Sequence, residues 1–157
     1  MTEIERLAAI EAIKQLKARY FRALDCKDMA AYAAVFTPEA RIDVRGSVTG
    51  DEQDDQPAIA DFDEDAVIVG GAAMAAFVER IAADIVTAHH GHTPEIEILG
   101  DDHARGVWAF EDRLWFPESA PHRLLHGFGH YHETYRRHSG IWLIDSMTIT
   151  RLRVNVH

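Results

Sequence analysis

The second half of this chain reads as four consecutive strand-like segments, about 88–99, 103–116, 123–138 and 141–154, joined by turns at Gly100-Asp101-Asp102, Pro117-Glu118-Ser119 and Ser139-Gly140. Strands joined so briefly run antiparallel, and the resulting meander needs something to cover one of its faces. The first half supplies it. From Glu3 to Leu24 the residues Ile4, Leu7, Ile10, Ile13, Leu16, Tyr20 and Leu24 recur at three- and four-residue steps with Lys and Glu between them, the pattern of a long amphipathic helix whose inner face meets the core. Asp28 caps a second, short helix reaching Phe36, where Thr37-Pro38 stops it, and Ala40 to Val44 reads as a short strand. Gly70-Gly71 breaks the chain before a third helix over Ala72 to Val86, with Met74, Phe77, Val78, Ile81 and Ile85 at helical spacing. Helices, one strand, a helix and then a meander predict an α+β domain in which a curved, mainly antiparallel sheet wraps the helices and encloses a hollow.

The length of 157 residues suits one domain spanning 1–157 with one core. Between residues 46 and 70 the composition changes: Asp51, Glu52, Asp54, Asp55, Asp61, Asp63, Glu64 and Asp65 stand together without a Lys or Arg, and large apolar residues are few. That stretch predicts a mobile acidic excursion, with a lid over the site as one possible role. Its spacing is not that of a calcium loop, because Gln56 occupies the position that needs glycine. The net charge of −10 and the lack of a basic stripe argue against nucleic acid and anionic membranes as partners. No apolar run is long enough to cross a bilayer, and Met1-Thr2-Glu3-Ile4-Glu5-Arg6 lacks the basic-then-apolar order of a secretory signal, so a cytoplasmic location is expected. The lone cysteine, Cys26, excludes an intrachain disulfide and reads as a small buried filler beside the helix end. No serine nucleophile elbow or phosphate-cradling glycine loop is present, which makes acyl hydrolysis and nucleotide-dependent chemistry poor fits.

The segments Ile13-Lys14-Gln15-Leu16-Lys17-Ala18-Arg19-Tyr20-Phe21-Arg22-Ala23-Leu24-Asp25 and Gly91-His92-Thr93-Pro94-Glu95-Ile96 carry a resemblance, together with Gly106-Val107-Trp108, Glu111-Asp112, Gly140-Ile141-Trp142 and Thr150-Arg151. The chain resembles the NTF2-like, SnoaL-like cone-fold family. Within it the bacterial bile acid 7α-dehydratases are most alike, and scytalone dehydratase and hexachlorocyclohexane dehydrochlorinase more distantly. The resemblance spans nearly the whole chain except residues 46 to 70. It implies a catalytic set of Tyr20, Asp25, His89 and Arg151, of which Asp25 and His89 are the part shared with the more distant enzymes. Where scytalone dehydratase has further polar groups this chain has Val44, Leu24 and Leu114, so pentaketide substrates of that type are not expected. The family likeness also implies a homo-oligomer, a dimer or a trimer.

These residue types suit elimination. Neutral imidazole is a base near working pH, so His89 is the candidate that removes a proton beside a carbonyl. A carboxylate on its other nitrogen fixes the tautomer and stabilises the imidazolium, which is the role of Asp25. Tyr20 and Arg151 supply donors to developing negative charge, Tyr20 also as a proton source for the leaving oxygen. No cofactor or metal is required. Tyr20 and Asp25 lie five apart, about 140 degrees on an ideal helix, so the helix must fray or end near Asp25 for both to serve one site.

Of the remaining histidines, His126, His130 and His132 share one strand face, and His89 points opposite to His90 and His92. That arrangement favours a half-exposed or subunit-contact role for the row over a zinc site. The alternate face, with Gly127, Gly129 and Tyr131, is expected to line the pocket, its glycines leaving room for a bulky ligand. Trp108, Phe110, Leu114, Met147 and Ile149 are candidates for an apolar wall suited to a polycyclic substrate such as a steroid or aromatic polyketide. The reading is a dehydratase acting on a hydroxylated polycyclic ketone or steroid-type substrate. An isomerase or dehydrohalogenase using the same dyad, and a small-molecule-binding module without turnover, stand as alternatives.

Overall fold

Thr2 opens the first helix with a reciprocal cap. Its hydroxyl accepts the Glu5 N–H at 3.2 Å while the Glu5 carboxylate accepts the Thr2 N–H at 2.7 Å. The computed structural model describes residues 1–47 and 67–157. Helix α1 (Glu3–Asp25) buries Ile13, Leu16, Tyr20 and Leu24. Ile4 and Leu7, assigned to the same inner face, are instead 79% and 60% exposed. Periodicity identifies the side of a helix that turns toward the core, but not where along the helix that core stops.

Helix α2 (Met29–Ala33) is capped by Asp28, whose carboxylate accepts the Ala31 N–H at 3.0 Å. It ends short of the expected Phe36, which already opens strand β1 (Phe36–Asp43). Pro38 lies inside this strand rather than ahead of it. Pairing with the neighbouring strand skips register between Phe36 and Arg41, so the missing N–H of Pro38 falls where the ladder is irregular. A 3-10 turn follows at Arg45–Ser47. Strand β2 (Val67–Val69) pairs antiparallel with β1, and the Gly70 N–H donates to Ala40 O at 2.8 Å. The end of the expected 46–70 excursion is therefore sheet, and the rest of it, 48–66, with the lid and the calcium-loop question, lies outside the described residues. Helix α3 (Gly71–Ala82) stops before the expected Val86, which begins the next strand.

Strands β3 (Val86–Ile98), β4 (His103–Trp115), β5 (Leu124–His138) and β6 (Ile141–Val156) form the meander. The sheet runs β2-β1-β6-β5-β4-β3, antiparallel throughout except for the parallel β1–β6 pair. One face carries the core and packs against the helices, giving the α+β cone. Among the described residues no helix is long and apolar enough to cross a membrane.

Simple alternation does not hold along the whole meander. Between Gly91 and Pro94 strand β3 contains one residue more than its partner, so Thr87 and His89 face inward before the bulge and Ile96 and Ile98 after it. Strand β6 carries similar irregularities opposite Thr134/Tyr135 and Phe128/Gly129, which turn Trp142 and Ile144, then Met147 and Ile149, to the same core. Each bulge switches the parity of the side chains that follow it.

Ile144 is fully buried in β6, and its N–H donates to Val35 O at 2.9 Å where the sheet closes over α2. Ile144→Ala is expected to cost about 2–5 kcal/mol, measured as a lower urea midpoint with an unchanged denaturant slope.

Candidate active site

Asp25 is the last residue of α1. The chain leaves the helix through Cys26 and then Lys27, which takes a left-handed conformation (φ 58), while Lys27 N–H donates to Leu24 O and Asp28 N–H to Ala23 O. This paired closure keeps α1 regular to its end, so the helix terminates at Asp25 instead of fraying there. Cys26 is exposed, not the buried filler expected of it, because the turn carries its side chain away from the core.

The Asp25 carboxylate bridges to the start of β3. Its Oδ1 lies 2.7 Å from His89 Nδ1 and accepts the Thr87 hydroxyl at 2.8 Å, and its Oδ2 accepts the His89 N–H at 2.9 Å. Burial pushes the Asp25 carboxyl up, but the bonds and charge of the His89 ring, the backbone N–H and Thr87 outweigh it and hold the group below its ordinary range. An ionised carboxylate only accepts, so in the neutral ring Nδ1 carries the proton and Nε2 the lone pair. Phe21 stacks on the imidazole, ring centroids 6.3 Å apart and planes 12° from parallel. Gly91 makes room for this stacking, since a Cβ there would fall 2.6 Å from the Phe21 ring.

Beyond Nε2 stands a residue to which sequence reasoning gave no role. Asp112 Oδ2 lies 3.9 Å from His89 Nε2, and both Asp112 oxygens accept from the Arg151 guanidinium at 2.7 Å. This two-pronged pair has side chains only 3% and 8% exposed. A signal for it was present: Trp108, Phe110, Asp112 and Leu114 alternate on one strand face, and a carboxylate in an apolar row must be paired. Thr87 was missed because the third helix was expected to run to Val86.

Tyr20 is buried, and the Tyr32 hydroxyl donates to its oxygen at 3.5 Å. Burial above all, then the neighbouring Tyr131 phenol, raises Tyr20 well above the usual range, so it remains a donor. Tyr20, His89, Asp112 and Arg151 border one cavity of about 100 Å³. Asp25 supports it from behind the imidazole. Leu114, Tyr131, Met147 and Ile149 border the cavity, joined by Met74, Phe77, Val78 and Ile81 of α3. Trp108, Phe110 and Gly129 do not. The Trp108 indole N–H donates to Tyr135 at 2.7 Å, Phe110 packs behind Tyr131, and a Cβ on Gly129 would strike the Thr150 carbonyl. The two glycines leave no space for a ligand. A Cβ on Gly127 would come within 2.5 Å of Asp112 Oδ1 and nearer still to Arg151 Nη1, so that gap seats the ion pair.

On the opposite face of the sheet, His126 Nε2 meets Glu111 at 3.0 Å and His132 Nε2 meets Thr150 at 3.0 Å, with His130 beside His132. Among the described residues no three His, Cys, Asp or Glu side chains are grouped to hold a metal ion.

The SnoaL-like domain model matches residues 5–148. The chain belongs to the SnoaL-like domain family. Solved structures of the same fold include a hexachlorocyclohexane dehydrochlorinase, 14% identical with a TM-score of 0.79 over 99% of this chain and 93% of that one. A scytalone dehydratase-like protein from Novosphingobium aromaticivorans is 16% identical, TM-score 0.78, over 99% and 92%. A protein of unknown function from Mycobacterium tuberculosis is 23% identical, TM-score 0.69, over 92% and 77%. At these identities the SnoaL-like domain shares their backbone; its chemistry has to be argued from its own side chains.

Two outcomes follow. Because the Asp25 pKa is depressed on folding, its contribution to stability is present above the ordinary value of 3.8 and is lost as pH falls through the lower folded value. The stability difference between the wild type and Asp25→Asn, read from urea melts, should be full at about pH 6 and shrink toward about pH 2. Gly127→Ala should push Arg151 from Asp112 and lower stability by about 1–3 kcal/mol; an unchanged urea midpoint would mean the pair yields freely.

Proposed function

We propose that this SnoaL-like domain is a cofactor-independent lyase that eliminates water from a β-hydroxylated cyclic ketone or its vinylogous equivalent, with His89 as base. The observation that carries this reading is the Asp25–His89 contact, which leaves Nε2 at the edge of an apolar hollow. Nε2 takes the proton from the carbon next to the carbonyl, and the electron pair moves onto the carbonyl oxygen. Asp25 stabilises the imidazolium without taking the proton itself. The electrons then return, the carbon–carbon double bond forms, and the carbon–oxygen bond breaks. Tyr20 protonates the departing hydroxyl, which leaves as water, and regains its proton from the imidazolium through the product or solvent.

The Asp112–Arg151 pair has a different part. Arg151 is held by a carboxylate, so the pair presents almost no net charge, and a neutral reacting group fits this end better than an anionic one. The guanidinium still aims N–H dipoles at charge developing on the substrate. A cavity of about 100 Å³ accommodates about one ring. A steroid-sized or polycyclic ketone exceeds that volume and would need the apolar wall to give way. An oligomer, dimer or trimer, remains part of the reading on family likeness alone.

Elimination of hydrogen halide from a cyclic substrate is the second reading, favoured by the same base facing an apolar pocket. Halide departs without a proton, so the two reactions separate at Tyr20. A panel running from 3-hydroxycyclohexanone to a 7α-hydroxy-4-en-3-one steroid, with chlorinated cyclohexanes alongside, would be followed by enone absorbance and chloride release. His89→Ala and Asp25→Ala should lower turnover by about 10²–10⁴-fold with the fold intact. Tyr20→Phe should slow dehydration at least tenfold while sparing dehydrohalogenation. Ligand binding that survives in every variant, with no product from the wild type, would instead identify a binding module.

A further inference from the structure

Behind the cavity, α1 and β5 bury a second ion pair that the chemistry above does not use. Lys17 Nζ donates to Glu133 Oε1 at 2.5 Å, and neither side chain exposes any surface. The other Glu133 oxygen accepts the Tyr135 hydroxyl at 2.6 Å, and that hydroxyl accepts the Trp108 indole N–H at 2.7 Å. The rest of the ammonium faces aromatic rings. Nζ lies 3.5 Å from the ring centre of Tyr131, 4.0 Å from that of Tyr20 and 4.8 Å from that of Phe21. Tyr20 and Tyr131 border the cavity, and Phe21 stacks on His89. A buried pair of this kind is weak support for stability, because apolar residues of similar volume often serve as well or better. Its contacts instead converge on the rings that carry or brace the polar end of the site.

We propose that Lys17, clamped by Glu133, is a positioning residue of this site, whose ammonium on the faces of Tyr20 and Tyr131 strengthens their hydroxyls as donors to an oxygen atom in the cavity. A cation over a phenol ring draws on its π electrons, and the hydroxyl becomes more acidic without itself being ionised. The proposal rests on Tyr20 as the donor to the departing hydroxyl in the elimination, and a carbonyl oxygen bound in the same cavity reports the strength of that donor.

The effect depends on charge, so it has a pH signature. Burial lowers the Lys17 pKa to about 8, against the opposing pull of Glu133. The titratable groups facing the ammonium are Glu133 and Tyr131 of β5 and Tyr20 of α1, with Tyr135 bonded to the other oxygen of Glu133. All three tyrosines are pushed up by burial and stay protonated over the range in which Lys17 titrates. Lys27, whose pKa is also lowered by burial, lies on Thr87 beside Asp25. As pH rises through about 8 the ammonium loses its proton and the hydroxyls weaken as donors.

The probe is cyclohex-2-enone labelled with carbon-13 at its carbonyl, a single-ring product analogue, observed by infrared difference spectroscopy. In the wild type at pH 7 the bound carbonyl stretch should be lowered, and the lowering should shrink as pH passes through 8. Lys17→Met/Glu133→Gln removes both charges and keeps an acceptor for Tyr135; it should show the smaller shift at every pH. With 3-hydroxycyclohexanone, its kcat should drop about tenfold at unchanged KM, the scale of one cation–π contact. Lys17→Arg should hold the full shift to higher pH, since guanidinium does not titrate there. A wild-type stretch identical at pH 7 and 9.5, with Tyr20→Phe still moving it, overturns the role of Lys17 alone. A stretch that Tyr20→Phe leaves unchanged, or no binding at all, overturns the proposal, and dehydration that Tyr20→Phe does not slow overturns the donor reading beneath it. The pH series on the wild type decides the question even if the double variant fails to fold.

Discussion

The carboxylate of Asp25 joins the two halves of this molecule. It belongs to the last helical residue of α1, yet three of its hydrogen bonds go to β3, from the Thr87 hydroxyl, the His89 backbone and the His89 ring. An ionised carboxylate that is partly removed from water needs such donors, and the start of β3 offers them at that point. The contact therefore fixes where the helix sits along the sheet, and it fixes the ring of His89 at the same time. The tautomer, the inward aim of Nε2 and the stacking of Phe21 all follow from where this one group comes to rest.

Across the cavity the same logic recurs with opposite partners. Asp112 and Arg151 come from β4 and β6, strands that are not neighbours, and they meet over the gap left by Gly127 on the β5 strand between them. A two-pronged pair in a dry environment holds both side chains to one geometry. The imidazole thus lies between a carboxylate that holds it and a neutralised pair that faces it. Beneath them the Lys17–Glu133 pair and the four tyrosines form a third polar layer. A cavity with an otherwise apolar wall has one polar end, and that end is built from charges whose partners are inside the protein.

Much of this was legible in the chain. The α1 stripe, the cap at Asp28, the glycine pair before α3 and the four long strands all rest on local periodicity and local turn chemistry, which short stretches of sequence carry. The boundaries that were misplaced share a cause. Pro38 inside β1, the early end of α3 and the pairing of Val67–Val69 depend on ladders with distant strands, and no local pattern specifies those. The candidate wall was partly misassigned for the same reason. Trp108 and Phe110 share an alternating face with Leu114, but other side chains stand between them and the hollow. Gly127 and Gly129 read as open space, whereas in three dimensions that space is filled by Arg151 with Asp112 and by the Thr150 carbonyl.

By itself the sequence determined an α+β order, a long first helix over Glu3 to Leu24, and a histidine near the head of a strand. Three charges, Lys17, Asp112 and Glu133, turn out buried in the core, and the sequence analysis gave none of them a role. Only the tertiary structure decided that Lys17 takes Glu133, that Asp112 takes Arg151, and that Asp25 takes His89. The β3 bulge between Gly91 and Pro94 belongs to the same level, because one added residue lets both His89 and Ile96 face inward from a single strand. Periodicity is a property of neighbours along the chain and can be read there, whereas the pairing of buried charges is a property of neighbours in space, set by desolvation once the sheet has closed.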